Sequence, residues 1–172
     1  RDIAGLTPFF EGTSAVDVEI VERIRRDDDN DFEGAFLAQL VEDGGAGTGY
    51  PIVFEAVDFA AHAQRQLPFR AQARLTGFAV SLRAFADEQA YQAAGPSGSG
   101  IRLAAAAFVP VGQFANIDDD AAPRTSEALL TGRIVEHGHL VNEVTSREFH
   151  WLVVASLGAS FDIAVDPDIV TG

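Results

Sequence analysis

The chain has 172 residues, no cysteine or methionine, and 26 acidic side chains against 12 basic ones, for a formal net charge of −14. Every basic residue is arginine, so Schiff-base chemistry, a P-loop lysine and a lysine general base are excluded, as are disulfides, thiolate nucleophiles and cysteine-ligated metals. With 47% hydrophobic and 22% charged residues, and no apolar run near the roughly 18–20 residues that cross a bilayer, the expectation is a globular cytoplasmic protein of one domain or two small ones, without a membrane partner.

Residues 1–14 read as an irregular lead-in broken by Pro8 and Gly12. AVDVEIVERIRR (15–26) then alternates, with Val16, Val18 and Ile20 on one side and Asp17 and Glu19 on the other. That period of two is the mark of a half-buried strand. The acidic run from Asp27 to Asp31 reads as a turn. FEGAFLAQLVED (32–43) fits a returning strand through Phe36, Ala38 and Leu40, with a helix through Phe36, Leu37, Leu40 and Val41 as the alternative. GGAGTGYP (44–51) is a glycine loop without phosphate-binding spacing.

PIVFEAVDF is a further strand, and AAHAQRQLP one helical turn ended by Pro68. The strand pattern resumes over 69–86, with Phe69, Ala71, Ala73 and Leu75 on one face and Gln72 and Arg74 on the other. A loop over 93–100 precedes an alanine-rich strand, IRLAAAAFVPV. The polar connector 113–125 sets the expected boundary between N-terminal β units (1–115) and a C-terminal β-meander (124–172), unless the two form one continuous domain. In the meander, strand SEALLTGRIVEHG leads through a hairpin loop HLVNEVTSRE into FHWLVVASLG and then ASFDIAVDP. Phe149, Trp151, Val153 and Ala155 share one face; Phe161, Ile163 and Val165 share a face of the next strand, with Asp162 opposite.

QARLTGFAV (72–80) and EALLTGRIV (127–135) align without gaps, each carrying a strand up to and past a glycine. Glycine inside a strand marks a bulge or a tight bend at a barrel corner. The expected fold is therefore all-β. It consists of one or two small antiparallel β-barrels of OB-like kind, an internal duplication being one form, with at most one or two short helices.

Three candidate sites follow. His137 and His139, two apart on a strand, place both imidazoles on one face; with His150 and Glu148 they form a candidate zinc or other divalent-metal site. Asp27, Asp29 and Asp31 offer oxygens to calcium, but Phe32 stands where an EF-hand loop needs glycine. Arg65, Arg70, Arg74, Phe78, Arg83, Phe85 and Arg102 make 65–102 locally basic and are the candidate nucleic-acid contacts. The opposing reading is that these arginines pair with the surplus carboxylates. No catalytic residue is assigned, since no G-X-S-X-G elbow occurs.

The sequence points first to a non-enzymatic binding or assembly module, acting through strand edges or loops on a protein partner or on itself, with no cofactor. The alternatives are a metal-dependent hydrolase built on the His-X-His pair and a single-strand nucleic-acid-binding protein, the latter disfavoured by the net charge. The acidity also fits halophilic adaptation. In molar salt the Debye length is about 3 Å and net charge says little about partners.

Overall fold

The computed structural model describes residues 7–26, 29–41, 49–95, 102–113 and 124–171. Strands dominate: β1 (Val16–Ile24), β2 (Ala35–Leu40), β3 (Pro51–Glu55), β4 (Phe69–Ala73), β5 (Thr76–Phe78), β6 (Leu82–Arg83), β7 (Ala107–Val109), β8 (Leu129–Thr131), β9 (Arg133–Val141), β10 (Glu148–Ser156), β11 (Ala159–Val165) and β12 (Val170–Thr171). The α-helices are short, α1 (Phe59–His62) and α2 (Glu88–Ala93). No helix among the described residues is long and apolar enough to cross a membrane. The chain divides into two compact units, one of residues 1–10, 15–74 and 109–129, the other of 11–14, 75–108 and 130–172. The connector segment 114–123 lies outside the described residues, as does most of the glycine loop.

The first unit carries an antiparallel sheet in the order β3-β2-β1-β4. Its alternation follows the sequence: Val16, Val18 and Ile20 are buried and lie opposite Ala73, Ala71 and Phe69 of β4. On the other side of β1, Val18 and Ile20 face Leu40 and Ala38 of β2. The strand reading of 35–40 holds, because only a period of two puts Phe36, Ala38 and Leu40 on the covered face. Phe36 is the hub. Its ring meets Phe59 of α1 at 5.1 Å, Phe54 of β3 at 6.0 Å and Phe69 of β4 edge-on at 6.3 Å. On the outer face, Glu19 and Arg70 are cross-strand partners joined by a 3.6 Å ion pair.

The second unit is built on a sheet in the order β5-β11-β10-β9. β9, β10 and β11 are the antiparallel meander expected from sequence, and β5 adds in parallel to β11. Leu152, Val154 and Val165 form its core, with Leu82, Leu130, Ile163 and Ile169 packed against them. The register pairs Leu152 with Ile163 and Val154 with Phe161. The apolar face of β11 therefore coincides with Leu152 and Val154, not with Trp151 and Val153. Strand β9 runs to Val141, further than the sequence suggested, and the hairpin loop shrinks to a tight turn. Asn142 Oδ1 closes that turn by accepting from the N–H groups of Val144 and Thr145, at 3.0 and 2.9 Å.

Neither four-stranded sheet closes on itself among the described residues. The two echoed segments each cross between sheets, and their glycines lie near opposite margins of the second sheet. Gly77 sits in β5 beside β11, and Gly132 immediately precedes β9 beside β10. A side chain at Gly77 would lie 2.9 Å from Ile163 Cδ1, and one at Gly132 would meet the Ala155 carbonyl. The glycines thus permit close approach to the neighbouring strand.

Replacing Phe36 by Ala removes a ring that is 1% exposed and should cost about 3–5 kcal/mol. Urea unfolding followed by circular dichroism measures this.

Candidate functional site

Strand β11 supplies the most constrained polar group. Asp162 is fully buried, and every hydrogen bond it receives comes from elements held next to it. Trp151 Nε1 of β10 donates to Oδ1 at 2.6 Å. The backbone N–H of Thr13 donates to the same oxygen at 3.1 Å, and that of Ser14 to Oδ2 at 2.7 Å. A buried carboxylate is tolerated only when donors replace its water, and three do so here. Gly12 is required alongside, since a Cβ there would run into the Asp162 carboxylate. The lead-in segment is thereby tied to the sheet. The alternation put Asp162 on the face opposite Phe161, and the structure agrees; what covers that face is residues 12–14.

Trp151, held by Asp162, lies across Gly138 of β9. A Cβ at Gly138 would be 3.3 Å from the indole Cε3, a tight contact that a larger residue could make only if the ring shifted by a few tenths of an ångström. On the opposite face of the same strands, His139 and His150 are direct cross-strand partners, with ring centroids 5.4 Å apart. Glu148 Oε2 lies 3.4 Å from His139 Nε2. His137 follows on the same face of β9, opposite Leu152. The structure thus brings together His139, His150 and Glu148, with His137 one step along the strand. His150 shares its face of β10 with core residue Leu152. Among the described residues, no group of three or more His, Asp or Glu side chains is placed to hold a metal ion.

The acidic turn separates its carboxylates. Asp27 lies outside the described residues. Asp29 turns inward, its Oδ2 accepting from the Arg26 N–H at 2.7 Å. Asp31 is almost fully exposed, 3.5 Å from Arg25. Arg26 itself forms a two-pronged pair with Glu55, at 3.1 and 2.6 Å.

The basic stretch divides between the units. Arg65, Arg70 and Arg74 belong to the first, and Phe78, Arg83, Phe85 and Arg102 to the second. Arg65 stacks on Phe69 at 4.2 Å, Arg70 pairs with Glu19, and Arg83 covers Phe85 at 5.1 Å. Arg102 donates to the Gln92 carbonyl, while Phe78 is half-exposed on β5. Arg70 and Arg83 thus each have a partner within the protein while remaining exposed.

The feature that sequence reading missed is the outer margin of β9. As the last strand in its sheet order, β9 is bordered among the described residues on one side only, by β10. Asn142 donates from its backbone N–H to the Arg147 carbonyl at 2.8 Å. In an antiparallel ladder hydrogen-bonded and non-hydrogen-bonded pairs alternate. Counting back from Asn142 through the register of β9 on β10, Leu140, Gly138 and Glu136 bond to β10. His137, His139 and Val141 point their N–H and C=O groups outward. Val135 is the extra residue of a bulge, where Glu136 and Ile134 face consecutive residues Val153 and Val154. Large apolar side chains along this margin are open to solvent: Ile134 at 41%, Val135 at 50%, Leu140 at 36% and Val141 at 54%. The signal was present in the sequence as RIVEHGHLV, a strand apolar at both ends.

Compared with known proteins, the chain matches no family model, no curated protein and no solved structure.

Stability, fluorescence and metal analysis test this geometry. Asp162→Ala leaves the indole and two backbone donors without their acceptor and should cost about 2–4 kcal/mol. A red shift of the emission of Trp151, the sole tryptophan, should accompany it. His139→Ala, at a half-exposed side chain, should change stability by less than about 0.5 kcal/mol. Protein purified without an affinity tag should hold zinc below stoichiometry in metal analysis. Stoichiometric zinc, lost on His139→Ala, would instead favour the metal-dependent hydrolase.

Proposed function

We propose that the protein is a non-enzymatic binding or assembly module whose working surface is the outer margin of β9, and that it recognises an extended chain by strand addition. The observation that supports this is the combination of outward backbone groups at His137, His139 and Val141 with solvent-exposed apolar side chains on the same strand. Natural sheets usually blunt such margins with charge, proline or a covering segment. Apart from its bulge, β9 has little of this: Arg133 and Glu136 are its sole residues with permanent charge, and it contains no proline. Main-chain hydrogen bonds would supply affinity, and alternate side chains specificity.

The OB-like barrel form of this module rests on the meander and on the glycine-bearing echo of 72–80 in 127–135. Strand addition needs neither closure nor duplication. Binding of single-stranded nucleic acid draws less support, because stacking platforms such as Phe85 are already covered by arginine and the net charge repels phosphate.

A fluorescein-labelled peptide of alternating valine and threonine, ended by lysines, is the probe. Its anisotropy should rise on titration with the protein. The response should fall about tenfold in affinity for Val141→Pro, which deletes one outward N–H donor. An unchanged response in Val141→Pro, or none with the native chain, would overturn the reading.

A further inference from the structure

The geometry of β9 points to a second copy of this chain as the occupant of that margin, paired antiparallel about a two-fold axis through His139. This rests on the strand-addition reading above and adds the partner and the register.

The regular part of β9 starts after the bulge at Val135 and extends to Asn142, whose N–H still bonds to Arg147. The midpoint of Glu136–Asn142 is His139. Outward-facing backbone groups stand at His137, His139 and Val141, symmetric about that midpoint. An antiparallel copy related by a two-fold axis there would bond His139 to its counterpart and His137 to Val141 in both directions. Isologous contacts of this kind close on themselves and leave neither β9 margin free. An axis at His137 would run the ladder into the bulge after one residue.

Side chains fit the same register. Gly138 falls opposite Leu140 of the second copy. Leu140 is partly exposed, and the space over Gly138 is bounded by the Trp151 ring. Each leucine would therefore lie over a glycine and reach the edge of an indole, a large residue against a residue with no side chain. Glu136 falls opposite Asn142 and not opposite another carboxylate. The paired segment has almost no charge to select an acidic or a basic peptide, which favours a self-complementary partner. The chain as a whole carries −14, so like charges oppose association until salt screens them.

The absence of cysteine makes the register directly readable. Paired residues on the axis bring their Cα atoms to about 5.5 Å, within disulfide range. Sedimentation across a concentration series should show the mass rising from 18.3 kDa toward twice that value, more readily at high salt. Leu140→Lys should raise the dissociation constant about tenfold or more while leaving the circular dichroism spectrum unchanged. Mild oxidation should cross-link His139→Cys into a covalent dimer, and His137→Cys much less. Faster cross-linking of His137→Cys overturns the register. A chain that stays monomeric at every concentration and salt, with neither variant cross-linked, overturns the second copy. If that monomer still binds the valine–threonine peptide, strand addition at β9 stands without self-pairing. If it binds neither, both readings fail.

Discussion

A carboxylate with no water around it has to be answered by fixed donors, and the placement of Asp162 on β11 imposes that demand on the second unit. The donors are an indole from β10 and two backbone N–H groups from the lead-in segment. Satisfying them fixes the position of Trp151, ties residues 12–14 over one sheet face and confines position 12 to glycine. The opposite face is buried by ordinary apolar contacts among Leu152, Val154, Val165 and Ile163. The middle of the sheet is therefore covered on both sides, by polar satisfaction on one and by packing on the other.

Burial fades across the sheet toward β9. β10 and β11 hold Leu152, Val153, Val154, Phe161 and Val165 in the interior, whereas the apolar residues of β9 stay exposed. The exposure of Ile134, Val135, Leu140 and Val141 on a strand that contributes little to the core is the observation behind the proposed strand addition. The glycine beneath Trp151 serves both ends of this arrangement. It admits the indole that answers Asp162, and in the proposed pairing it is the position that Leu140 of the second copy would lie over.

Much of the fold was legible in the sequence. The alternation of Val16, Val18 and Ile20 and that of Phe69, Ala71 and Ala73 gave two strands and their faces, and these turn out to be partners. The meander was legible because β10 holds the apolar run Trp151–Ala155 and β11 alternates about Asp162, the two separated by a glycine-bearing turn. The strand ends were not. His139, Leu140 and Val141 read as loop because a histidine pair and a glycine interrupt the apolar pattern, while the Asn142 turn that lets β9 continue is a side-chain effect without periodicity. Helix α2 escaped for a similar reason: its start is set by Asp87 accepting from the Ala90 N–H at 2.8 Å, and its sequence, EQAYQA, buries no residue. Of the candidate sites, the spacing of His137 and His139 correctly put them on one face. The cross-strand meeting of His139 with His150 depends on hairpin register, which spacing does not encode. Asp162 was placed on the correct face, but its burial depends on residues 148 and 149 positions away along the chain.

The most direct test is residue-resolved amide exchange in dilute solution, where any paired copies have separated. An open margin on β9 requires alternation: Glu136, Gly138 and Leu140 protected by their bonds to β10, and His137, His139 and Val141 exchanging at rates close to those of an unstructured chain. Uniform protection along 136–141 would show that the outward groups are already bonded within the chain, and the proposed working surface would not exist.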